Sequence, residues 1–270
     1  MGDRTSIEWT EATWNPVTGC SKVSPGCAHC YAEALSGRFG RTLLPWTPAN
    51  AARNVRVHPE RLAQPHHWRQ PRLVFVNSMS DLFHRLVPAD FIDAVVAVMQ
   101  AASHHTFQVL TKRPKRARDL LASGAVRPLP DNVWLGVSIE SSRFNERADV
   151  LREIPTRVRF VSAEPLLGSL FEDGPRRAPL NLSGIGWLIA GGESGHYARP
   201  MQATWARELR DACAAAGVAF FFKQWGGRTP KAGGRILDRR LHDEMPTPAP
   251  VSGETASLFP PGTRLAAAVP

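Results

Sequence analysis

Long apolar runs are missing from this sequence. No stretch approaches the roughly 20 apolar residues of a membrane-spanning helix. The opening residues, "MGDRTSIEWTEATW", hold acidic side chains and no apolar core, unlike a secretory leader. The expectation is a cytoplasmic protein with no membrane partner, in a reducing compartment. Cysteine is scarce as well, with 4 among 270 residues. Both features argue against a disulfide framework and turn attention to metal binding or catalysis wherever thiols cluster. Internal repeats are absent, as is any sign of a second independent domain.

What is present is a basic, moderately apolar chain. Net charge is +9 and hydrophobic residues make up 43%, with a sequence pI near 10.1. The charge favours polyanions, nucleic acid above all; an Arg- and Ala-rich composition accounts for it equally well. Short, nearly continuous apolar runs predict strands at 72–78, 106–111, 132–138, 157–163, 186–192 and 218–224, with a further one through "ATWNPVTG" at 12–19. Amphipathic stretches at 88–103, 113–124, 142–154 and 203–217 predict helices, two of them ending on Gly124 and Gly217. Six or seven strands in this rhythm imply an α/β fold, a partial (β/α)6-type barrel of parallel strands over residues 1–246. An open doubly wound sheet is the alternative. Residues 36–71 are broken by Pro and Gly and suit one or two short helices, and 247–270 has the composition of a flexible tail.

Three of the four cysteines fall in "TGCSKVSPGCAHCYAE", as Cys20, Cys27 and Cys30. Cys213 lies on an Ala-rich helical face and reads as core. Structural zinc asks for four ligands, so a zinc site here needs His29, Cys213 or a distant His. A [4Fe–4S] cluster held by three cysteines instead leaves one iron open to a substrate or cofactor. The spacing and the missing fourth ligand favour the iron–sulfur cluster over zinc, and a loop without metal remains the third option.

With "TWNPVTGCSKVSPGCAHCYAE", "FVNSMSDLFH", "FQVLTKRP", "WLGVSIE", "VSAEPLLG", "IAGGESG" and "FFKQWGG", the sequence resembles the radical S-adenosylmethionine superfamily. More narrowly, it looks like a phage- and bacterium-associated three-cysteine family of uncharacterised function. The resemblance spans about residues 5–246. The superfamily's usual spacing is C-x3-C-x2-C; here the first gap is six residues. The resemblance implies a partial barrel, a [4Fe–4S] cluster on Cys20, Cys27 and Cys30, and S-adenosylmethionine bound at the open iron. It further implies an external electron donor and a 5′-deoxyadenosyl radical that takes a hydrogen from substrate. His29, before the last cysteine, or Tyr31, after it, would pack near the adenine. No second cysteine motif suggests an auxiliary cluster.

On this architecture the residues after each strand surround the ligands. Asn77, Ser78, Ser80 and Asp81 follow the second strand, where the superfamily recognises the cofactor's amine; Asp81 serves equally as a helix N-cap. Lys112 and Arg113 follow the third and suit a carboxylate or phosphate. Ser138 and Glu140 follow the fourth, a region that meets the ribose and methionyl groups in the superfamily. Glu164 follows the fifth as a ligand or as the partner of an arginine. Gly191, Gly192 and Glu193 follow the sixth, where glycine permits close backbone approach; no Gly-Lys-Ser/Thr makes this a P-loop. Lys223 and Gln224 end the last strand beside Trp225, which closes the barrel or stacks on a base. The expected function is therefore radical chemistry on an anionic or nucleic-acid-related substrate. The rival is a basic nucleic-acid-binding protein with structural zinc, displaying Trp46, Trp68 and Trp225 as exposed aromatics.

Overall fold

The computed structural model describes residues 5–38, 44–172, 178–229 and 231–246. The tail expected over 247–270 lies outside the described residues. Strand β1 (Ala12–Trp14) is followed by an antiparallel ribbon, β2 (Val17–Thr18) with β3 (Arg56–Val57). Then come β4 (Leu73–Val76), β5 (Thr106–Thr111), β6 (Val133–Ser138), β7 (Val158–Ala163), β8 (Trp187–Gly191) and β9 (Ala219–Gln224). The main sheet has seven strands in the order β1-β4-β5-β6-β7-β8-β9, every neighbouring pair parallel. Spatial order follows chain order without reversal. That is a half-barrel, not a doubly wound sheet, whose strand order turns back at a switch point.

The helices are α1 (Tyr31–Arg38), α2 (Ala51–Asn54), α3 (Ala89–Ala101), α4 (Pro114–Ala122), α5 (Glu146–Arg152) and α6 (Ala203–Ala216). Gly217 ends α6 in the left-handed conformation, φ 66°, which glycine adopts without steric cost. None of the helices among the described residues is long and apolar enough to cross a membrane. The stretch predicted as one strand over 12–19 is two. Pro16 lacks an amide hydrogen, and past it the chain leaves the sheet to pair with β3, which sequence periodicity did not signal.

Alternation along the strands sorts side chains onto two faces. Val74, Val109, Val133, Leu135, Val137, Val161, Leu188 and Phe222 pack against Ile92, Val95 and Met99 of α3, Leu151 of α5 and Leu209 and Cys213 of α6. The concave face carries Phe75, Trp134, Phe160, Trp187, Ile189 and Phe221, closed by Trp9 and Met245. Trp187 stands at the centre, with Trp9, Trp134 and Phe221 each edge-on about 6 Å away. Its indole donates to the Glu244 carbonyl at 2.9 Å. Residues 242–244 also hydrogen-bond to β9, covering that edge strand.

Gly136 shows how tightly the aromatic layer is built. A Cβ there would sit 2.4 Å from the Phe160 ring. Gly136→Ala is therefore expected to lower stability by about 1–3 kcal/mol through overpacking. Urea unfolding measures the loss, and adding Phe160→Leu to the same chain should recover part of it.

Candidate functional site

The aromatic layer fills the N-terminal part of the concave face, and the same alternation brings polar residues to the C-terminal ends of the strands. A cavity opens there. It is lined by Cys20, Cys27, Cys30, Tyr31, Ser80, Asp81, Lys112, Arg113 and Ser138, over an apolar floor that includes Phe75 and Leu110. The three cysteines thus share one wall with these six other predicted site residues.

The cysteine loop is tied to the strand ends by side chains. It leaves β2 at Gly19, which bridges Ser80 with φ 80°; a Cβ there would lie 1.9 Å from the Asn54 carbonyl oxygen. Arg113 donates to Cys20 Sγ at 3.5 Å and to the Ser21 carbonyl at 2.9 Å, and pairs with Asp81 at 2.8 Å. Asp81 also accepts from Thr111 Oγ1 at 2.8 Å and from the Lys112 and Phe83 amides at 3.1 and 3.0 Å. Its oxygens are taken up in holding Arg113 and the adjoining turns. Glu140, only 1% exposed, accepts from the Gly26 amide at 3.2 Å and pairs with Arg147 at 2.9 Å. Gly26 leaves room for this, because a Cβ would come 3.1 Å from the Glu140 carboxyl carbon. Glu193 contacts His29 Nδ1 at 2.9 Å and is held by Arg199 at 2.6 Å, while Arg199 donates onward to the Pro25 carbonyl at 2.9 Å. Tyr31 donates its hydroxyl to the Ser78 carbonyl at 2.6 Å, and Ser80 to that of Val17 at 2.8 Å.

Burial pushes the Cys20 thiol up to about 11 against the pull of Arg113, and burial raises Cys30 too. Burial also works against Glu193, but hydrogen bonds from Arg199 and His29 outweigh it and bring that carboxyl down to about 2. For Asp81 the opposing pull of Arg113, Thr111 and Lys112 likewise overcomes burial and leaves it below the usual carboxylate range. Among the described residues, no three Cys, His, Asp or Glu side chains converge into a group that could hold a metal ion. Cys20, Cys27 and Cys30 each line the cavity.

A family model described as "Protein of unknown function (DUF5131)" matches residues 4–246. The chain belongs to this family. No curated protein and no solved structure matches it.

The remaining predicted residues of this family member lie beside the cavity. Glu164 pairs with Lys223 at 2.9 Å and accepts from Ser162 Oγ at 3.1 Å. Gly191 makes space for it, since a Cβ would be 2.7 Å from Glu164 Oε1. Gly192 approaches the Trp225 carbonyl, 2.0 Å from where its Cβ would be. Gln224 donates to Ser194 Oγ at 2.6 Å and to the Gly192 carbonyl, so it braces the β8–β9 ends. Lys112 lines the cavity, and among the described residues its ammonium has no hydrogen-bond or ion-pair partner. Two aromatics expected on the surface are corrected: Trp46 and Trp68 are 3% and 5% exposed. Trp46 packs with Ala32 and Met79 behind Cys20 and Cys30, and Trp68 joins the main core. Trp225, also expected to be exposed, is half-buried; it lies edge-on to Phe222 at 4.9 Å and donates to the Ile236 carbonyl.

Three residues escaped sequence reasoning: Arg147, Arg199 and His84. Arg147 and Arg199 look like any other arginine in a basic chain. Asn77, φ 60°, one of the residues named after the second strand, accepts from the Val17 amide at 3.2 Å and lines the cavity, and among the described residues its buried Nδ2 has no partner. His84, fully buried, accepts from the Leu86 amide through Nδ1, so Nε2 carries the proton and donates to Ser21 Oγ at 2.9 Å. Its place at the end of "NSMSDLFH" was the available signal.

Two measurements check this arrangement. Arg147→Met strands the buried Glu140 charge and is expected to cost about 3–5 kcal/mol in urea unfolding, with Glu140→Gln restoring part of it. Burial, aided by Arg113, lowers the His84 pKa from 6.5 to about 4. The unfolded chain therefore binds the proton first, so stability is fully present above the unfolded value and falls as pH drops through the window between the two. Wild type should lose about 2 kcal/mol more than His84→Gln between about pH 7 and about pH 5.

Proposed function

We propose that this chain is an iron–sulfur enzyme of the radical S-adenosylmethionine type, with a [4Fe–4S] cluster held by Cys20, Cys27 and Cys30. The observation that carries the proposal is the gathering of these three thiols on one cavity at the C-terminal ends of parallel strands, where barrel folds build their active sites. The donor set fits the group. A cubane takes its thiolates on separate irons and needs them on one shared volume, and all three cysteines line the same cavity. Thiols raised by burial become thiolates only beside a positive charge, which a bound metal supplies.

When bound, the cluster and cofactor supply one-electron cleavage of S-adenosylmethionine to methionine and a 5′-deoxyadenosyl radical, with the electron coming from an external donor. The chain's own residues bind, orient and shield. Arg113 places a positive charge on Cys20 and is itself aimed by Asp81. Glu140 and Glu193 fix the loop between the cysteines. Trp46, Ala32 and Met79 cover Cys20 and Cys30 with apolar surface. Lys112 offers a cavity cation free to meet an anionic group.

Anaerobic reconstitution with iron and sulfide is expected to give a brown protein that forms 5′-deoxyadenosine from S-adenosylmethionine once reduced. Cys20→Ala, Cys27→Ala and Cys30→Ala should each abolish colour and turnover, and Cys213→Ala, in the core, should retain both. A colourless protein that takes up one zinc ends the proposal.

A further inference from the structure

The strand-end acids are each neutralised within the protein. Asp81 pairs with Arg113, Glu140 with Arg147, Glu164 with Lys223 and Glu193 with Arg199. A second set of cations at the same end has no such partner. Lys112 follows β5, Arg143 sits in the turn Ser142–Phe144 after β6, and Arg228 and Lys231 follow β9. Among the described residues, none of these four makes a side-chain hydrogen bond or ion pair, and the last three are exposed. The mouth therefore keeps a positive surplus after its internal pairs cancel, in a chain of net charge +9.

An aromatic cluster stands on the same rim. Tyr197, in the loop that follows Glu193, is 73% exposed. Its ring lies 6.2 Å from that of His29 and edge-on to His196 at 4.8 Å. The start of this loop is joined to the β9 end: Gly195 donates to the Gly227 carbonyl at 2.9 Å, and Ser194 bridges Gly227, the neighbour of Arg228. An exposed flat ring on a strand-end rim that also carries unpaired cations is what an unstacked nucleobase with flanking phosphates uses.

We propose that this rim binds single-stranded nucleic acid, a base stacking on Tyr197 beside His29 and phosphates meeting Lys112, Arg143, Arg228 and Lys231. This names the substrate class of the site and rests on the proposed function for the chemistry that follows binding. Binding itself needs no cluster, so the two fail separately.

Fluorescence anisotropy on the full chain, before and after anaerobic reconstitution, tests it with labelled oligo-dT and oligo-rU of about 20 nucleotides, the two arms separating DNA from RNA. Neutralising four phosphates predicts a salt slope near −3, or roughly 50-fold weaker binding at about 200 mM than at about 50 mM salt. Arg228→Ala with Lys231→Ala should flatten the slope by about 1.4. Tyr197→Ala should weaken binding roughly 10-fold or more at unchanged slope, and Tyr197→Phe should not. All three positions are exposed, and an unchanged urea midpoint confirms that the variants fold. Failure of both oligonucleotides to bind at low salt overturns the proposal. So does binding no tighter than that of poly-glutamate with Tyr197→Ala silent, which assigns the rim to an acidic protein.

Discussion

Two buried carboxylates hold the cysteine loop on the barrel. Glu140 presents one oxygen to Arg147 and the other to the Gly26 amide of the loop, whereas Arg199 spans both oxygens of Glu193 and shares Oε2 with the His29 ring of the loop. Burying a carboxylate is costly unless charge and lone pairs are answered together. Arg147 and Arg199 supply the charge, and the loop supplies the rest. The loop is consequently part of what makes each buried acid tolerable, which couples its position to the integrity of the strand ends. Asp81 repeats the device at β4, gripping Arg113, which then reaches Cys20 and Ser21.

The concave face is divided by the two-residue period of its strands. Along β7, Phe160, Ser162 and Glu164 point the same way; along β8, Trp187, Ile189 and Gly191 do. Each strand passes from ring to small or polar residue as it rises, so aromatics fill the N-terminal part and leave an open polar cavity above. The glycines fall where that change needs space. Gly136 admits the Phe160 ring and Gly191 admits the Glu164 carboxylate. An apolar floor beneath a charged mouth strengthens the electrostatic contacts made inside it.

The strands and main helices were legible in the sequence because buried parallel strands read as continuous apolar runs, and their helices carry clear periodicity and glycine stops. The cavity was legible in part: strand-end placement alone gathers Lys112, Arg113, Ser138 and the cysteines. Pairing was not legible. Nothing in "GVSIESS" says that Glu140 turns to an arginine seven positions on, and nothing in "FFKQWGG" says that Lys223 pairs with Glu164. Such partners are chosen by distances across the barrel, and a chain with 33 Lys and Arg offers too many candidates. Trp46 and Trp68 were misjudged for a related reason. Their segment looks polar and broken, yet it folds back so that both indoles are covered.

The six-residue gap between Cys20 and Cys27 follows from the clamp. Ser21 meets His84 and Arg113; Lys22 bonds to the Ala28 carbonyl and Glu33; Pro25 receives Arg199; Gly26 donates to Glu140. These contacts come from the ends of β4, β5, β6 and β8 and from α1, so the gap residues span the mouth rather than loop idly outside it. A three-residue gap has no chain left to reach β6 and β8 while the first thiol stays beside Arg113. The added length carries the bonds that carboxylates under the loop demand, and it leaves the three thiols facing the same cavity. Loop length and ligand spacing are thus separable: the strand-end acids account for the first without any reference to what the sulfurs bind.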